Sequence, residues 1–274
     1  MVDLPQSDTL DLEQHDGWLT VWFNSPQENR NALTSERSDA LLDLCGVLQS
    51  ARDIRGVTFR GRGGVFCAGG DLKSFRKAAS GESNRTDTLA MSRSAGGLYE
   101  AINTLPQITV MALEGPCVAG GMGIASCGDV VIAERETRFS LTEVRIGLAP
   151  AQIAPFLIAR IGMASMRRLA LTGAMFDAQE ARHIGLVDTV VDGAEALNDA
   201  VADVILQTSD NAPNAVAATK SLLLSLPGMN REDQINAAAA TFTDCMFSAE
   251  GREGLTAFAQ KRKPNWALPK EGAG

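Results

Sequence analysis

Histidine is nearly missing from this 274-residue chain, its cysteines stand apart from one another, and positive charge is in the minority. The two histidines are His15 and His183, and the five cysteines are Cys45, Cys67, Cys117, Cys127 and Cys245, with no CxxC pair. No Cys/His spacing suits a metal, which argues against a zinc enzyme; the cysteines read as small apolar fillers in a reducing compartment. With 25 Lys and Arg against 33 Asp and Glu, the net charge is -8. That balance argues against nucleic acid or an anionic membrane as the main partner, and a polyanionic small ligand would need a local basic cluster. No apolar run approaches a membrane span, and MVDLPQSDTLDLEQ at the start lacks a basic-then-apolar signal, so a soluble cytoplasmic protein is expected. What is present is a globular composition, 45% hydrophobic and 21% charged, over a length that suits one large domain or one domain with an appendage.

Two glycine-rich stretches organise the chain. The first, GGVFCAGGDLK at 63–73, follows the strand-like IRGVTFRG and leads into a helical Leu72–Ala79. The second, ALEGPCVAGGMGIASCGD at 112–129, follows the apolar run Ile108–Leu113 and continues in small residues suited to a close-packed helix. A strand that passes through glycines into a helix exposes backbone N–H groups where the helix dipole is positive, a place to hold negative charge. Either stretch alone would more often be a turn.

Elsewhere, strands are expected at Thr9–Leu12 and Trp18–Phe23, turning at His15-Asp16-Gly17. Thr34 caps a helix with Leu41, Leu44, Cys45 and Leu48 on one face. Gly81–Asp87 reads as an exposed, mobile loop, Val130–Ala133 as a strand, and 151–172 as helix broken at Pro155 and Gly162. Asp177 and Glu180 form a capping-box variant opening a short helix that ends at Gly185, and strand Leu186–Val191 follows. From about residue 194 only helices are expected, and such a tail on an α/β body packs on that body or on a neighbouring subunit.

Five motifs, in order, resemble the enoyl-CoA hydratase/isomerase (crotonase) family: ENRNALT at 28–34, FCAGGDLK at 66–73, LEGPCVAGGMGIASCGD at 113–129, FSLTEVRIGLAP at 139–150 and LTGAMFDAQEARHIGLVDTVV at 171–191. The resemblance implies an α/β fold, a crotonase-type spiral of ββα units over 1–194, with a helical oligomerisation region at 195–274. It implies a homotrimer or hexamer and an acyl-CoA substrate, with CoA carried as part of that substrate and no separate cofactor. By position, the N–H groups of Gly70 and Gly120 would form the oxyanion hole for the thioester oxygen, a device in which one donor is worth roughly a hundred- to a thousandfold in rate. Glycine suits both places because a side chain would obstruct the thioester and because positive φ is a possible requirement.

The family's hydratases commonly use two glutamates. Glu143 matches one; the other position is Gly123, so that acid is absent. An acid enclosed by Leu141, Val144 and Ile146 would lose solvation and carry a raised pKa, suiting it to hold and deliver a proton. Asp71, Glu114 and Asp129 sit in turn or cap contexts where structural hydrogen bonding is the commoner role. Gly123 and the run EVRIGLAPAQIAPF are similar to hydratases of branched glutaconyl-CoA thioesters, of the isohexenylglutaconyl and 3-methylglutaconyl types. The extra carboxylate of such substrates makes Arg145 and Gln152 candidates for its recognition. CoA-binding candidates by position are Asn29, Arg30, Ala68, Asp71, Leu72, Lys73, Arg76, Lys261 and Lys263, although Lys261-Arg262-Lys263 is also an ordinary basic helix end. Competing readings are an enoyl-CoA isomerase with a single glutamate, a CoA-thioester hydrolase, and a non-enzymatic CoA- or RNA-binding protein. Neither glycine stretch has the GxGxxG spacing of a dinucleotide fold.

Overall fold

The computed structural model describes residues 2–268. Strands Leu10–His15 (β1) and Trp18–Phe23 (β2) form a hairpin, followed by a short helical turn Pro26–Asn29 (α1) and the helix Ser35–Leu48 (α2). Next come Gly56–Gly61 (β3), Leu72–Ala79 (α3), Arg85–Asn103 (α4), Ile108–Leu113 (β4), Pro116–Val118 (β5) and Gly120–Ser126 (α5). Val130–Glu134 (β6), Arg138–Ser140 (β7), Ala154–Thr172 (α6), Met175–Asp177 (β8), Ala178–His183 (α7) and Thr189–Val191 (β9) complete the α/β part. Four helices close the chain: Gly193–Thr208 (α8), Pro213–Ser225 (α9), Arg231–Phe247 (α10) and Ala249–Ala259 (α11).

One sheet has the order β1-β2-β3-β4-β6-β9 and the other β5-β7-β8. Beyond the antiparallel β1–β2 pair, the larger sheet is parallel throughout. Both of its faces are covered, which is why β3 is buried along its whole length. Met111 and Leu113 join the main core, while Val110 and Ala112, pointing the opposite way, pack with Ile132 against Leu197 and Val201 of α8. Each turn of the chain repeats one scheme: a strand in the large sheet, a short paired segment beside it, then a helix. In the β4 turn the short segment is β5 and in the β6 turn it is β7; in the β3 turn it is only a bridge, Cys67 to Cys117. This is the expected ββα spiral.

Several local expectations change. Gly81–Asp87 is not all loop: Asn84 caps α4 by accepting from the Asp87 N–H at 2.9 Å, so the helix begins at Arg85. Pro155 does not break α6 but lies in its first turn, where its missing N–H costs nothing. Gly162 does interrupt the helix, with φ 74°. In the segment expected as strand Leu186–Val191, only Thr189–Val191 pairs with β6. The capping box holds, Asp177 accepting from the Glu180 N–H at 2.9 Å.

Candidate active site

The two glycine stretches meet. Between them, the Cys67 N–H donates to the Pro116 carbonyl at 3.2 Å and the Val118 N–H to the Cys67 carbonyl at 3.0 Å. The chain then turns sharply at Gly69 (φ 98°) in one stretch and at Ala119 (φ 51°) in the other. Positive φ therefore falls one residue before each of Gly70 and Gly120, not at those glycines themselves. Ala119 is the costly case, because a residue with a Cβ at positive φ persists only when its surroundings hold it there. Its N–H donates to the Ser140 carbonyl at 2.9 Å, and its carbonyl accepts from Met122 and Gly123 at the start of α5.

The consequence is a pair of free amides. Among the described residues, neither the Gly70 N–H nor the Gly120 N–H has a hydrogen-bond acceptor. A methyl added to Gly120 would lie 3.5 Å from the Gly70 nitrogen, and one added to Gly69 would lie 3.5 Å from the Gly120 nitrogen. The two donors thus border one small space that only bare backbone leaves open, with Gly120 as the first residue of its helix.

Glu143 opens a single 3-10 turn, Glu143–Ile146, closed by Gly147 at φ 77°. The expected enclosure is only partly observed: Leu141 is fully buried, but Val144 and Ile146 are 38% and 57% exposed. In a turn this short, successive side chains point apart, so the residues flanking the acid in sequence do not cover it. Its Oε2 is nevertheless buried and has no hydrogen-bond partner among the described residues. Burial pushes the Glu143 carboxyl above the usual range, opposed by a backbone hydrogen bond. The other acids are engaged elsewhere. Asp129 Oδ2 accepts from the Thr109 N–H at 2.8 Å and pairs with Lys220 at 2.7 Å. Glu114 pairs with Arg60 at 3.3 Å, and Asp71 accepts from the Lys73 N–H at 3.0 Å.

At Gly123 there is no room for an acid. A Cβ there would stand 2.3 Å from Ile153 Cγ2 and 2.8 Å from Tyr99 Cε1. Tyr99, from α4, was not anticipated; it is 4% exposed, packs against Phe156 with ring centres 5.9 Å apart, and lies close enough to Glu143 to feel its charge.

A family model described as enoyl-CoA hydratase/isomerase matches residues 13–269. The chain belongs to that family. The structure of Pseudomonas aeruginosa AtuE is similar at TM-score 0.91 and 40% identity, with 95% of this chain and 100% of that chain covered. The enoyl-CoA hydratase EchA19 of Mycobacterium tuberculosis is 32% identical over 93% of this chain and 95% of its own length. A Beauveria bassiana relative named mevalonyl-coenzyme A hydratase SIDH is 29% identical over 90% of both chains. The protein is thus an enzyme of the enoyl-CoA hydratase type with a crotonase fold.

Within this crotonase fold, the segment 29–33 lies along the first glycine turn. The Ala68 N–H donates to the Arg30 carbonyl at 3.1 Å and the Leu33 N–H to the Gly69 carbonyl at 2.8 Å. Asn29 is partly committed to the turn, its Oδ1 accepting from the Ala32 N–H at 3.1 Å and the Ser25 hydroxyl at 3.0 Å. Asn31, unremarked in the sequence, is the buried pin of this region: it donates to the Arg62 and Val65 carbonyls at 3.0 and 2.7 Å and accepts from the Ser25 N–H at 2.9 Å. Arg30, Leu72, Lys73 and Arg76 are exposed beside the turn, and none of these three cations pairs with a carboxylate among the described residues. Lys261 and Lys263 are not brought there within one chain. The residues after Lys261 run to the opposite, N-terminal ends of the strands, where the Trp266 carbonyl accepts from Arg55 at 2.9 Å and the Leu268 N–H donates to Ser209 at 3.0 Å. Arg262 is taken up by Glu253 at 2.7 Å. Arg145 leans over Gly173, and Gln152 donates to the Ser92 hydroxyl at 2.9 Å, so these two side chains point to different neighbours.

Proposed function

We propose that the enzyme adds water across the α,β-double bond of a branched enoyl-CoA thioester, of the isohexenylglutaconyl or 3-methylglutaconyl type. The observation that carries the chemistry is the combination of two acceptor-free amides at Gly70 and Gly120 with a buried, partnerless carboxyl oxygen on Glu143. The thioester oxygen accepts both N–H groups. The Glu143 carboxylate takes a proton from water as the water oxygen bonds to the β-carbon, and the π electrons move toward the carbonyl, giving an enolate held by the amides. Glu143 then returns the proton to the α-carbon and the carbonyl re-forms, a net gain of one water. A carboxyl whose pKa is raised by burial suits this exchange at neutral pH.

Support for a branched acyl group comes from Gly123 and the run EVRIGLAPAQIAPF, which resemble hydratases of branched glutaconyl-CoA thioesters, and from the mevalonyl-coenzyme A name of one relative. In this reading Arg145 and Gln152 receive the extra carboxylate after moving from their present neighbours. Arg30, Lys73 and Arg76, with Asn29, Ala68, Asp71 and Leu72, line the CoA, and Lys261 reaches it from a neighbouring subunit. The helical tail supports a homotrimer or hexamer, since Phe247 and Phe258 are 70% and 85% exposed on α10 and α11. Among the described residues no helix is long and apolar enough to cross a membrane. The free cysteines suit a cytoplasmic setting, and the acidic charge balance does not favour nucleic acid as a partner. The test is turnover of crotonyl-CoA, 3-methylglutaconyl-CoA and isohexenylglutaconyl-CoA followed by mass. A gain of one water with the glutaconyl thioesters alone is expected. A migrated double bond without mass change in a 3-enoyl-CoA would overturn the hydratase reading in favour of an isomerase.

A further inference from the structure

The absent glutamate leaves a question the chain answers elsewhere. The ring of Tyr99 runs along α5: its Cε1 is 2.8 Å from where a Cβ on Gly123 would stand, and its hydroxyl oxygen is 2.9 Å from where one on Gly120 would stand. The hydroxyl therefore ends beside the space bordered by the two free amides. Among the described residues the hydroxyl makes no hydrogen bond and is not closed off from solvent, whereas Glu143 Oε2 is buried without a partner. Glu143 is among the charges that reach the Tyr99 hydroxyl, and no hydrogen bond joins the two. Tyr99 lies among Leu33, Ile153 and Phe156 with its hydroxyl beside the amide space, and an unpaired hydroxyl there and the unpaired carboxyl oxygen of Glu143 are the two partners that one small polar molecule would need.

We propose that Tyr99 is a catalytic residue that holds the reacting water together with Glu143, in place of the acid missing at Gly123. The water gives one hydrogen to the Glu143 carboxylate and directs the other at the Tyr99 oxygen, which leaves a lone pair free to bond to the β-carbon. Tyr99 itself neither gains nor loses a proton. Burial holds its phenol well above the usual range, so it stays neutral throughout. The step rests on the hydratase reading above.

The test separates water addition from enolate formation. Tyr99→Phe keeps the ring against Phe156 and removes only the oxygen. Hydration of the substrate found for the wild type should fall by about 100-fold in kcat with KM little changed, the loss expected when a reacting water is no longer held in place. Exchange of the α-hydrogens of a saturated acyl-CoA with deuterated solvent, which needs Glu143 and the amides but no added water, should persist. Unchanged hydration in Tyr99→Phe overturns the proposal alone. Loss of both activities also overturns it, since Tyr99 would then serve the enolate or the fold. A wild type that hydrates none of the thioesters overturns the hydratase reading itself. Tyr99 is the single tyrosine, so protein made with 3-fluorotyrosine gives one fluorine resonance. That signal should move in Glu143→Gln, and a stationary signal counts against the shared water even if Tyr99→Phe does not fold.

Discussion

Gly120→Ala separates the role of the free amides from the stability of the fold. The residue is not at positive φ, so alanine accepts the backbone without strain. The new methyl would stand 2.9 Å from the Tyr99 hydroxyl, 3.1 Å from Leu33 Cδ1 and 3.5 Å from the Gly70 nitrogen. The first two neighbours are side-chain ends that can yield, at a cost of about 1–3 kcal/mol for overpacking. Replacing glycine in a helix returns up to ~1 kcal/mol, leaving a net loss of about 0–2 kcal/mol. Activity should suffer more, because the methyl occupies the space over both amides. Losing one such donor corresponds to ~10²–10³ in rate, or ~2.7–4 kcal/mol of transition-state stabilisation. Urea unfolding and kcat/KM measured on the same preparation should therefore diverge. Gly46→Ala is the control: nothing lies within 4 Å of its added methyl, so it should leave activity unchanged and stability equal or higher. A folded Gly120→Ala enzyme with activity within about threefold of wild type, far short of the loss of one donor, would refute the assignment of these amides to the reacting oxygen.

Three further outcomes are expected. Glu143→Gln should lower kcat by ~10²–10⁴ without lowering stability at neutral pH. Because burial raises this carboxyl in the folded state, the native protein binds more protons than the unfolded chain between the ordinary and the raised pKa. Its favourable contribution is complete below the ordinary value and lost as pH rises through the raised one; urea midpoints of wild type and variant should converge in acid and separate, the variant equal or higher, at pH 7. Gly123→Glu should not create a second acid but cost about 1–3 kcal/mol, since its Cβ meets Ile153 and Tyr99 at 2.3 and 2.8 Å; denaturation and kcat measured together check this, and a gain in kcat would contradict it. Replacing exposed Phe242 and Phe258 together by serine should lower the mass seen by sedimentation while each chain keeps its helical circular dichroism, and an unchanged mass would place the assembly contact elsewhere.

The parts of the fold that could be read from the chain are those whose pattern repeats. Helix α2 shows its face through Leu41, Leu44, Cys45 and Leu48, all buried, and its Thr34 cap accepts from the Arg37 N–H as expected. Helix α4 could not be read, although it is one of the longer helices. Its buried residues are confined to Leu98, Tyr99 and Ile102 near one end, and Ser92, Ser94, Gly96 and Gly97 in between leave no apolar stripe. The strands β7 and β8 span three residues each, too short for any alternation to register. The pairing of β7 with β5 and of β8 with β7 comes from long-range register, Cys117 opposite Phe139 and Phe139 opposite Phe176, which no local signal carries.

The candidate site divides along the same line, and the division bears on how the chemistry is built. Gly70, Gly120 and Glu143 are legible because they stand in motifs that resemble the family's; by composition alone the glycine stretches read as turns and Glu143 as a surface carboxylate. What positions those groups is not visible there. The strain is carried by Ala119, an unremarkable residue in sequence, and Asn31 and Arg37 hold the neighbouring turn from buried positions, Arg37 by donating to the Ala32 carbonyl and the Ser25 hydroxyl. Tyr99 comes from the one long helix without a readable face. It arrives because Gly123 has no side chain: a Cβ there and the Tyr99 ring cannot share the space as they stand. Gly123 and the Tyr99 ring are therefore one packing unit, and changing Gly123 should disturb Tyr99 before it supplies any new chemistry.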